Sequence, residues 1–321
     1  MSIPALIVSY SRHQNVLVII KQLRNQGVRK IYLAIDGPKN LNHDLQNRIE
    51  KDSRELAEEL GVNLRIWHRD VNLGPAVSVI TAIDWFFKNE ESGVILEDDL
   101  ILSDDAIRYF DFALSRYADV NSVFLIAGSN YFGDGLLGSK SSFATHYPVT
   151  WGWATWRGRW TEYRLVLTSL SNFQAPGGLI EKWFWKNGLR RCLNGIQDAW
   201  DIPLATFQLS QKNLSVIPPV NLISNIGADS FAGNTLVDEW PLNTPLERLP
   251  IETLLATKSH EKVFDPSFTS KIDSLFYSNV YKIQRFRTLP SGISMILDLL
   301  RHPVATRRKN LIERLELVAL P

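Results

Sequence analysis

Residues 93–99 have the sequence GVILEDD, an apolar run that ends in three adjacent carboxylates. Such a run predicts a buried strand, and the elements on either side of it indicate the rest of the fold. Carboxylates crowded at the end of a buried strand raise one another's pKa unless a positive partner lies among them. A divalent cation is the simplest partner, because Mg²⁺ and Mn²⁺ prefer hard oxygen ligands. Glu97, Asp98 and Asp99 therefore predict a metal and phosphate site; the alternative, a helix N-cap, suits residues 103–105 better than these three.

Strand and helix patterns alternate around this stretch through the first half of the chain. Strands are predicted over residues 4–9, 31–35, 62–67, 94–96 and 122–127. Helices are predicted between them, over residues 13–26, 42–60, 76–88 and 104–117. Gly27 and Gly61 follow the first two helices, as C-cap glycines do. The βαβ repetition predicts an α/β, Rossmann-like fold with a mostly parallel sheet and helices on both faces.

The composition of the chain is that of a globular protein, since 45% of its 321 residues are hydrophobic and 21% are charged. Its formal net charge of +1 predicts no nucleic-acid partner. Its one cysteine, Cys192, excludes an internal disulfide framework and favours a reducing compartment. Because no Cys/His motif surrounds it, Cys192 is predicted to be an inert apolar side chain rather than a nucleophile. Neither an export signal nor a membrane-spanning run is predicted, so we expect a cytoplasmic protein.

Polar residues follow each predicted strand, at the sheet edge where such folds bind ligands. These residues are Ser9, Tyr10 and Arg12 after the first strand, Asp36 after the second, and Arg69, Asn72 and Gly74 after the third. Asp36 can accept hydrogen bonds from a ribose or base, and Arg12 and Arg69 can neutralise phosphate. The backbone amides of residues 72–75 precede a helix N-terminus, which favours anions. Each feature alone also suits a turn, a loop or a solvated charge, but together they predict one crevice for a nucleoside diphosphate.

These segments resemble the nucleotide-sugar half of GT-A glycosyltransferases, with Glu97, Asp98 and Asp99 in place of the Asp-X-Asp motif of that family. The segments that carry the resemblance are 8–12, 34–37, 72–75, 95–99, 151–156, 199–201 and 221–227, so that it covers roughly residues 4–235. The likeness is to bacterial transferases related to the Golgi N-acetylglucosaminyltransferase that initiates complex N-glycans. It implies a GT-A fold and a donor that is a nucleoside-diphosphate sugar, with a UDP-sugar favoured. It further implies a Mn²⁺ or Mg²⁺ ion bound mainly by Asp99.

The resemblance also implies inversion at the anomeric carbon, with an acid after a tryptophan as the base. Asp201 follows Trp200 and matches that element, and Asp198 is the reserve. An inverting transfer needs such a base within about 3 Å of the acceptor hydroxyl. The alternative is that both are helix-capping acids.

Two further segments extend the predicted site. The loop at 218–227 is similar to a late loop of the family that returns to the diphosphate, which makes Asn225 a donor contact. The chain has Gly-Asn-Thr at 233–235 where relatives carry Thr-His-Thr, so a histidine of the family pattern is absent. Trp151, Trp153 and Trp156 either line an acceptor site or lid, or they are ordinary core residues.

Three segments are predicted: a nucleotide-sugar-binding half at 1–130, an acceptor and catalytic half at 131–260, and a basic helical tail at 261–321. Within the tail, residues 281–314 interleave basic clusters with apolar side chains. This pattern favours an amphipathic segment on the anionic inner membrane face, where a lipid-linked acceptor would make it useful. It is also common in solvated helices that cover a domain.

The sequence therefore predicts transfer of a hexosyl or N-acetylhexosaminyl group to a surface-glycan or lipid-linked acceptor, in polysaccharide biosynthesis. Two alternatives remain. A sugar nucleotidyltransferase would share the sheet and the acids, but it predicts a glycine-rich N-terminal loop with a lysine, which residues 8–12 lack. A non-catalytic sugar- or nucleotide-binding scaffold has no need of the four acids at 97–99 and 201.

Overall fold

The computed structural model describes residues 3–40, 42–132, 141–173, 179–227, 244–250, 263–276 and 310–321. The strands are β1 Ala5–Ser9, β2 Lys30–Ile35, β3 Asn63–His68, β4 Ser92–Glu97, β5 Leu100–Leu102, β6 Val123–Ala127, β7 Phe143–Thr145, β8 Trp153–Trp156, β9 Leu214–Ile217 and β10 Ile223–Asn225. The helices are α1 His13–Asn25, α2 Asp44–Leu60, α3 Gly74–Asn89, α4 Ala106–Arg116, α5 Arg157–Val166, α6 Leu179–Leu193, α7 Asp201–Gln211, α8 Pro266–Leu275 and α9 Leu311–Glu316. A short 3₁₀ helix, Leu167–Asn172, follows α5.

Eight strands form one sheet in the order β3-β2-β1-β4-β8-β6-β9-β7. Strands β1, β2, β3, β4, β6 and β9 run in one direction, and β7 and β8 run in the other. The predicted α/β class with a mostly parallel sheet is therefore confirmed. The two remaining strands, β5 and β10, form a separate antiparallel pair that directly follows the acids of residues 97–99.

Successive residues of the central strands bury their side chains on opposite faces of the sheet. In β1, Leu6 and Val8 belong to the hydrophobic cluster that contains α3, whereas Ala5 and Ile7 belong to the cluster that contains α1, α2 and α4. This period of two is the reason why a continuous apolar strand needs helices on both faces. Burying each large aliphatic side chain contributes about 1.5–3 kcal/mol, so the two clusters hold the sheet rigid beneath its loops.

The first two helices end where the glycines predict. Gly61 adopts a left-handed conformation with φ of 63° and caps α2 through hydrogen bonds to the carbonyls of Ala57 and Glu58. Gly27 has φ of 91° and lies just after α1. Both conformations are strained for residues with a Cβ, which is why glycine terminates these helices.

The described parts of the predicted tail pack into the main body of the fold. Ile272 and Phe276 at the end of α8, and Leu311 and Leu315 in α9, are buried in the same cluster as α3. Most of the basic segment 281–314 lies outside the described residues, and the segment boundaries remain predictions. Among the residues described, no helix is both long and apolar enough to cross a membrane.

Candidate active site

The strand ends of β1, β2, β3 and β4 meet at one edge of the sheet, as the parallel arrangement requires. The loops after β1 and β2 contact directly, since the Asp36 amide donates to the Ser9 carbonyl at 2.8 Å. The residues predicted to form a crevice lie around this edge.

Asp98 organises the loop after β1. Its Oδ2 accepts hydrogen bonds from Ser9 Oγ at 2.8 Å and from the backbone amides of Tyr10 and Arg12 at 2.9 and 3.3 Å. These amides lie at the start of α1, where orphan donors need an acceptor. Asp98 was predicted as a donor contact, but its carboxylate faces the protein's own backbone and shapes the Ser9–Arg12 loop.

Asp99 has a carboxylate oxygen that is available to bind a cation. Its Oδ1 is buried and has no hydrogen-bond partner, although buried polar atoms are nearly always paired. Burial, followed by the charge of the Asp98 carboxylate, raises the pKa of Asp99 to about 6. The Arg12 guanidinium, with Nη1 at 4.0 Å from Asp99 Oδ2, and a hydrogen bond with the Asn225 side chain act in the opposite direction.

The loop after β10 returns to these acids. The Ile226 amide donates to the Asp99 carbonyl at 2.9 Å, and the Gly227 amide donates to Asn225 Oδ1 at 2.7 Å. Arg12 Nη2 donates to the Gly227 carbonyl at 3.4 Å. A Cβ on Gly227 would stand 2.5 Å from Asp99 Oδ2, so this close approach requires glycine. Residues 233–235 lie outside the described residues.

Asp36 and Asn72 shape the loop that leads into α3. Asp36 is buried and accepts hydrogen bonds from Asn72 Nδ2 at 3.0 Å and from the amides of Leu73 and Gly74 at 3.0 and 3.2 Å. Desolvation raises the pKa of Asp36 to about 6 despite these hydrogen bonds. Both carboxylate oxygens are thus committed to the loop, and the predicted contact of Asp36 with a ribose or base has no free oxygen in this arrangement.

Arg69 is not presented to the crevice. It is 4% exposed and donates to Ser78 Oγ at 3.1 Å, to the Ser78 carbonyl at 3.0 Å and to Thr81 Oγ1 at 3.1 Å. Its guanidinium also lies 4.1 Å from the ring centre of Trp67. Burial lowers the pKa of Arg69 to about 10. Two arginines were predicted to bind phosphate. Arg12 lies beside the acids, whereas Arg69 is hydrogen-bonded to residues of α3.

Asp201 begins α7 and lies close to Glu97. The Trp200 side chain hydrogen-bonds with Glu97, and its ring stacks on Trp153 at 6.0 Å between ring centres and 15° between planes. Burial raises the pKa of Glu97 well above its usual value, and the charges of Asp99, Asp201 and Asp98 raise it further. Desolvation also raises the pKa of Asp201, although its side chain is exposed. Asp201 is close enough to Glu97 for the two charges to interact, so it belongs to the same group of acids.

Asp198, the reserve base, is already engaged. Its Oδ1 accepts a hydrogen bond from the Ala76 amide at 3.1 Å, in the first turn of α3, and Arg314 Nη1 lies 3.5 Å from the same oxygen. A Cβ on Gly74 would stand 2.2 Å from Asp198 Oδ2, so Gly74 is required for this contact. Sequence reasoning missed Arg314 and the anchoring role of Trp200; Trp200 was signalled only by its place before Asp201.

The three tryptophans predicted for an acceptor site or lid have different positions. Trp153 is 1% exposed and belongs to the core. Trp156 pairs with Ser92, at the opposite end of β4 from Glu97, and lines a cavity of ≈ 330 Å³ there. Trp151 precedes Trp153 on the side nearer Glu97 and is partly buried against Tyr131, at 4.9 Å between ring centres. The interpretation as a lid is thus corrected for Trp153 and Trp156, because strand β8 carries them into the sheet and to its far edge.

The residues around Asp99 fit a divalent cation that takes few ligands from the protein. Within the described ranges, no group of three or more His, Cys, Asp or Glu residues converges as a metal cage. Asp99 Oδ1 is nevertheless a buried carboxylate oxygen without a partner. Mg²⁺ and its analogues commonly use one or two carboxylates and complete their shell with water and substrate phosphate.

No protein-family model matches this chain, and no curated protein sequence matches it. Solved structures that are similar to it include a mannosyltransferase from Pyrobaculum calidifontis in complex with GDP-Man and Mn²⁺, with 13% identity, 71% of this chain and 58% of that chain covered, and a TM-score of 0.42. An apo UDP-glucose pyrophosphorylase has 7% identity, coverages of 70% and 93%, and a TM-score of 0.39. HddC from Yersinia pseudotuberculosis, complexed with GMP-PN, has 10% identity, coverages of 49% and 77%, and a TM-score of 0.32. The match thus spans less than two thirds of the mannosyltransferase, and at these TM-scores the likenesses decide nothing about function.

Proposed function

We propose that this protein is a metal-dependent, inverting glycosyltransferase of the GT-A type, which moves a sugar from a nucleoside-diphosphate sugar to a hydroxyl group. The observation that carries the proposal is the pairing of two acidic centres at one sheet edge. Asp99 has a buried oxygen without a partner, and Asp201 is exposed, has a raised pKa and interacts with the charge of Glu97. One centre suits the diphosphate of the donor and the other suits the acceptor hydroxyl.

The donor end is supported by the residues around Asp99. Arg12 lies beside Asp98 and Asp99 and can neutralise phosphate, and Asn225 brings its side-chain amide to the same place. Mn²⁺ or Mg²⁺, held by Asp99, would supply charge neutralisation for the departing diphosphate. We assign Ser9, Tyr10 and Gly74 to the loops that enclose the nucleotide, with Asp98, Asp36 and Asn72 holding those loops in shape.

The acceptor end is supported by Asp201 and its neighbours. An acceptor hydroxyl attacks the anomeric carbon, Asp201 accepts its proton, and the nucleoside diphosphate leaves from the opposite face of the sugar. A base is most effective when its pKa lies near the working pH, so the raised pKa of Asp201 favours this role. The raised pKa of Glu97 keeps that carboxyl neutral to higher pH, which reduces repulsion of an anionic donor.

The engagement of Asp198 favours Asp201 as the base. Asp198 is held by the Ala76 amide and by Arg314, whereas the hydrogen bonds that lower the pKa of Asp201 come from its own amide and that of Ile202. A carboxylate that is already bonded to an amide and an arginine is less free to turn toward an acceptor hydroxyl.

The substitution Asp201→Asn tests the proposal. Transfer from a UDP-sugar with Mn²⁺ should fall by about 10² to 10⁴-fold, with donor affinity unchanged, because general-base catalysis contributes this much. Asp111→Asn, on the exposed surface of α4, is the matched control and should behave as the wild type. NMR of the product should show an inverted anomeric centre. Wild-type rates in Asp201→Asn, a retained configuration, or nucleotidyl transfer in place of glycosyl transfer would each contradict the proposal.

We also propose a cytoplasmic location, with the acceptor a surface glycan or a lipid-linked sugar at the inner membrane face. The basic tail segment is the candidate membrane contact. Arg314 is ion-paired with Asp198, so this role falls to the cations at 282–309, which lie outside the described residues. Reversing the charges of Arg307 and Arg308 should lower sedimentation with phosphatidylglycerol vesicles, since each basic residue is worth about 1 kcal/mol there. Equal sedimentation of both proteins would count against a membrane contact.

A further inference from the structure

The helix α9 contacts both the loop before α3 and the segment before α7. Arg314 of α9 donates from Nη2 to the carbonyl of Leu73 in a short hydrogen bond. Its two terminal nitrogens also lie 3.5 Å from the two carboxylate oxygens of Asp198. A single guanidinium therefore joins the loop before α3 to the segment before α7.

Asp198 is the other half of this connection. Asp198 accepts a hydrogen bond from the Ala76 amide at 3.1 Å. The two segments approach so closely at Gly74 that a Cβ there would also stand 3.2 Å from Arg314 Nη2. The planar fork of an arginine suits this geometry, because it can bond a carbonyl and a carboxylate at once.

The segment from Asp198 to Asp201 is held at both of its ends. Asp198 is fixed by Ala76 and Arg314, and Trp200 is fixed by its stacking on Trp153 and its hydrogen bond with Glu97. Asp201 follows Trp200 directly. Small displacements of catalytic groups reduce rates strongly, so the anchors of this segment matter for transfer.

We propose that α9 is part of the active site and that Arg314 is a positioning residue, which locks the 72–76 loop onto Asp198 and thereby sets the position of Asp201. The proposal rests on the proposed function for its catalytic consequence, but its structural part is independent of any activity. The competing explanation is that α9 merely covers apolar surface through Leu311 and Leu315, which are buried.

Amide hydrogen exchange separates these two explanations without any assay of transfer. In Arg314→Ala, exchange at residues 72–76 and 198–202 should accelerate by about tenfold, as for loss of one charged hydrogen-bonded anchor, while the central strands stay protected. Glu316→Ala, at an exposed position of the same helix, is the matched control and should exchange as the wild type. Unchanged exchange at both segments in Arg314→Ala would overturn the proposal.

Kinetics then test the catalytic consequence. Arg314→Ala should lower kcat by about tenfold and raise the donor KM by less, and Arg314→Lys should recover part of kcat because it keeps the charge. Combining Arg314→Ala with Asp198→Asn should lower kcat little beyond the larger single effect, because both break one contact. Additive effects, or an Arg314→Lys variant as impaired as Arg314→Ala with normal exchange, would overturn the positioning role. If the wild-type protein showed no glycosyl transfer, the proposed function would be refuted. The hydrogen-exchange result would still decide whether Arg314 holds the 72–76 loop and Asp198 together.

Discussion

The two halves of this protein assemble their parts of the site in different ways. In residues 3–127 each site residue lies at the end of its own strand or within a few residues after it, and parallel strands deliver the loops to one edge. In residues 141–227 the central strand β8 runs against its neighbours β4 and β6. The contacts that fix Asp198 there join it to Ala76 and Arg314, which are 122 and 116 positions away along the chain, and Arg314 reaches Leu73 across 241.

This difference shows which sequence motifs predict the position of a side chain in the fold. A motif after a parallel strand is placed by the strand itself, so Asp99 and Arg12 come together as the order of the segments predicts. A tryptophan in the second half has no such guide. Trp151 lies on the side of β8 nearer Glu97, and Trp156, five residues later, lies at the opposite end of β4. Four variants, with their controls, can break or sharpen this contrast.

The largest expected effect concerns the aromatic core of the second half. Trp153→Ala should lower the free energy of unfolding by about 3–5 kcal/mol, because it removes a buried indole that stacks on Trp200. Trp183→Ala, at a position that is 44% exposed on α6, should change it by less than about 0.5 kcal/mol. Denaturant unfolding measures the free energy of unfolding of both variants. Equal losses would show that the buried Trp153–Trp200 stack contributes no more stability than an exposed tryptophan.

The next effect concerns Asp99 in the first half. A nucleoside diphosphate with Mn²⁺ at 100 times its dissociation constant should stabilise the wild type by about 2.7 kcal/mol, and Asp99→Ala should lose this stabilisation. The folded state itself should persist, because Asp99 Oδ1 has no partner and the side chain otherwise contacts only Asn225 and Arg12 among the interactions described above. Asp104→Ala, whose side chain is 84% exposed, is the control. Metal-dependent binding that survives in Asp99→Ala would exclude this carboxylate as the ligand.

A smaller effect is expected at the loop before α3. Asp36→Ala leaves the amides of Leu73 and Gly74 without their acceptor, which should destabilise the protein by about 1–3 kcal/mol. Asp70→Ala, an exposed neighbour on the same loop, should be close to neutral. Thermal unfolding measures the stability of both variants. If Asp36→Ala were as stable as the wild type, Asp36 would not be needed to support the loop and would again be a candidate ligand contact.

The mildest effect is a displacement of the pH profile of transfer. Desolvation by the surrounding protein raises the pKa of Asp201, so its carboxylate form, which is the active base, is lost at a higher pH than for an ordinary aspartate near 3.9. The acid limb of kcat should therefore lie above that value, and the residual rate of Asp201→Asn should lack it. An acid limb that persists in Asp201→Asn would assign the titration to another group.

Much of the first half could be predicted from the sequence because its signals are local. Gly61 ends α2 where predicted, and the apolar run before Glu97 forms β4. The functions of individual polar residues were harder, since Asp98 and Arg69 have the right chemistry for a donor but face the protein. A sequence shows which side chain is present at a strand end, but the direction in which it points depends on the neighbouring loops.

The sequence by itself determined the α/β class, the parallel strands and the crowding of acids at one edge, because period-two burial and strand-end chemistry are properties of short segments. Only the tertiary structure decided that Asp198 is engaged and Asp201 exposed, that β8 lies between β4 and β6, and that Arg314 closes onto Leu73. The physical reason is that hydrogen bonds and burial between distant segments depend on how the sheet orders its strands. That order emerges when both faces of the sheet are packed at once.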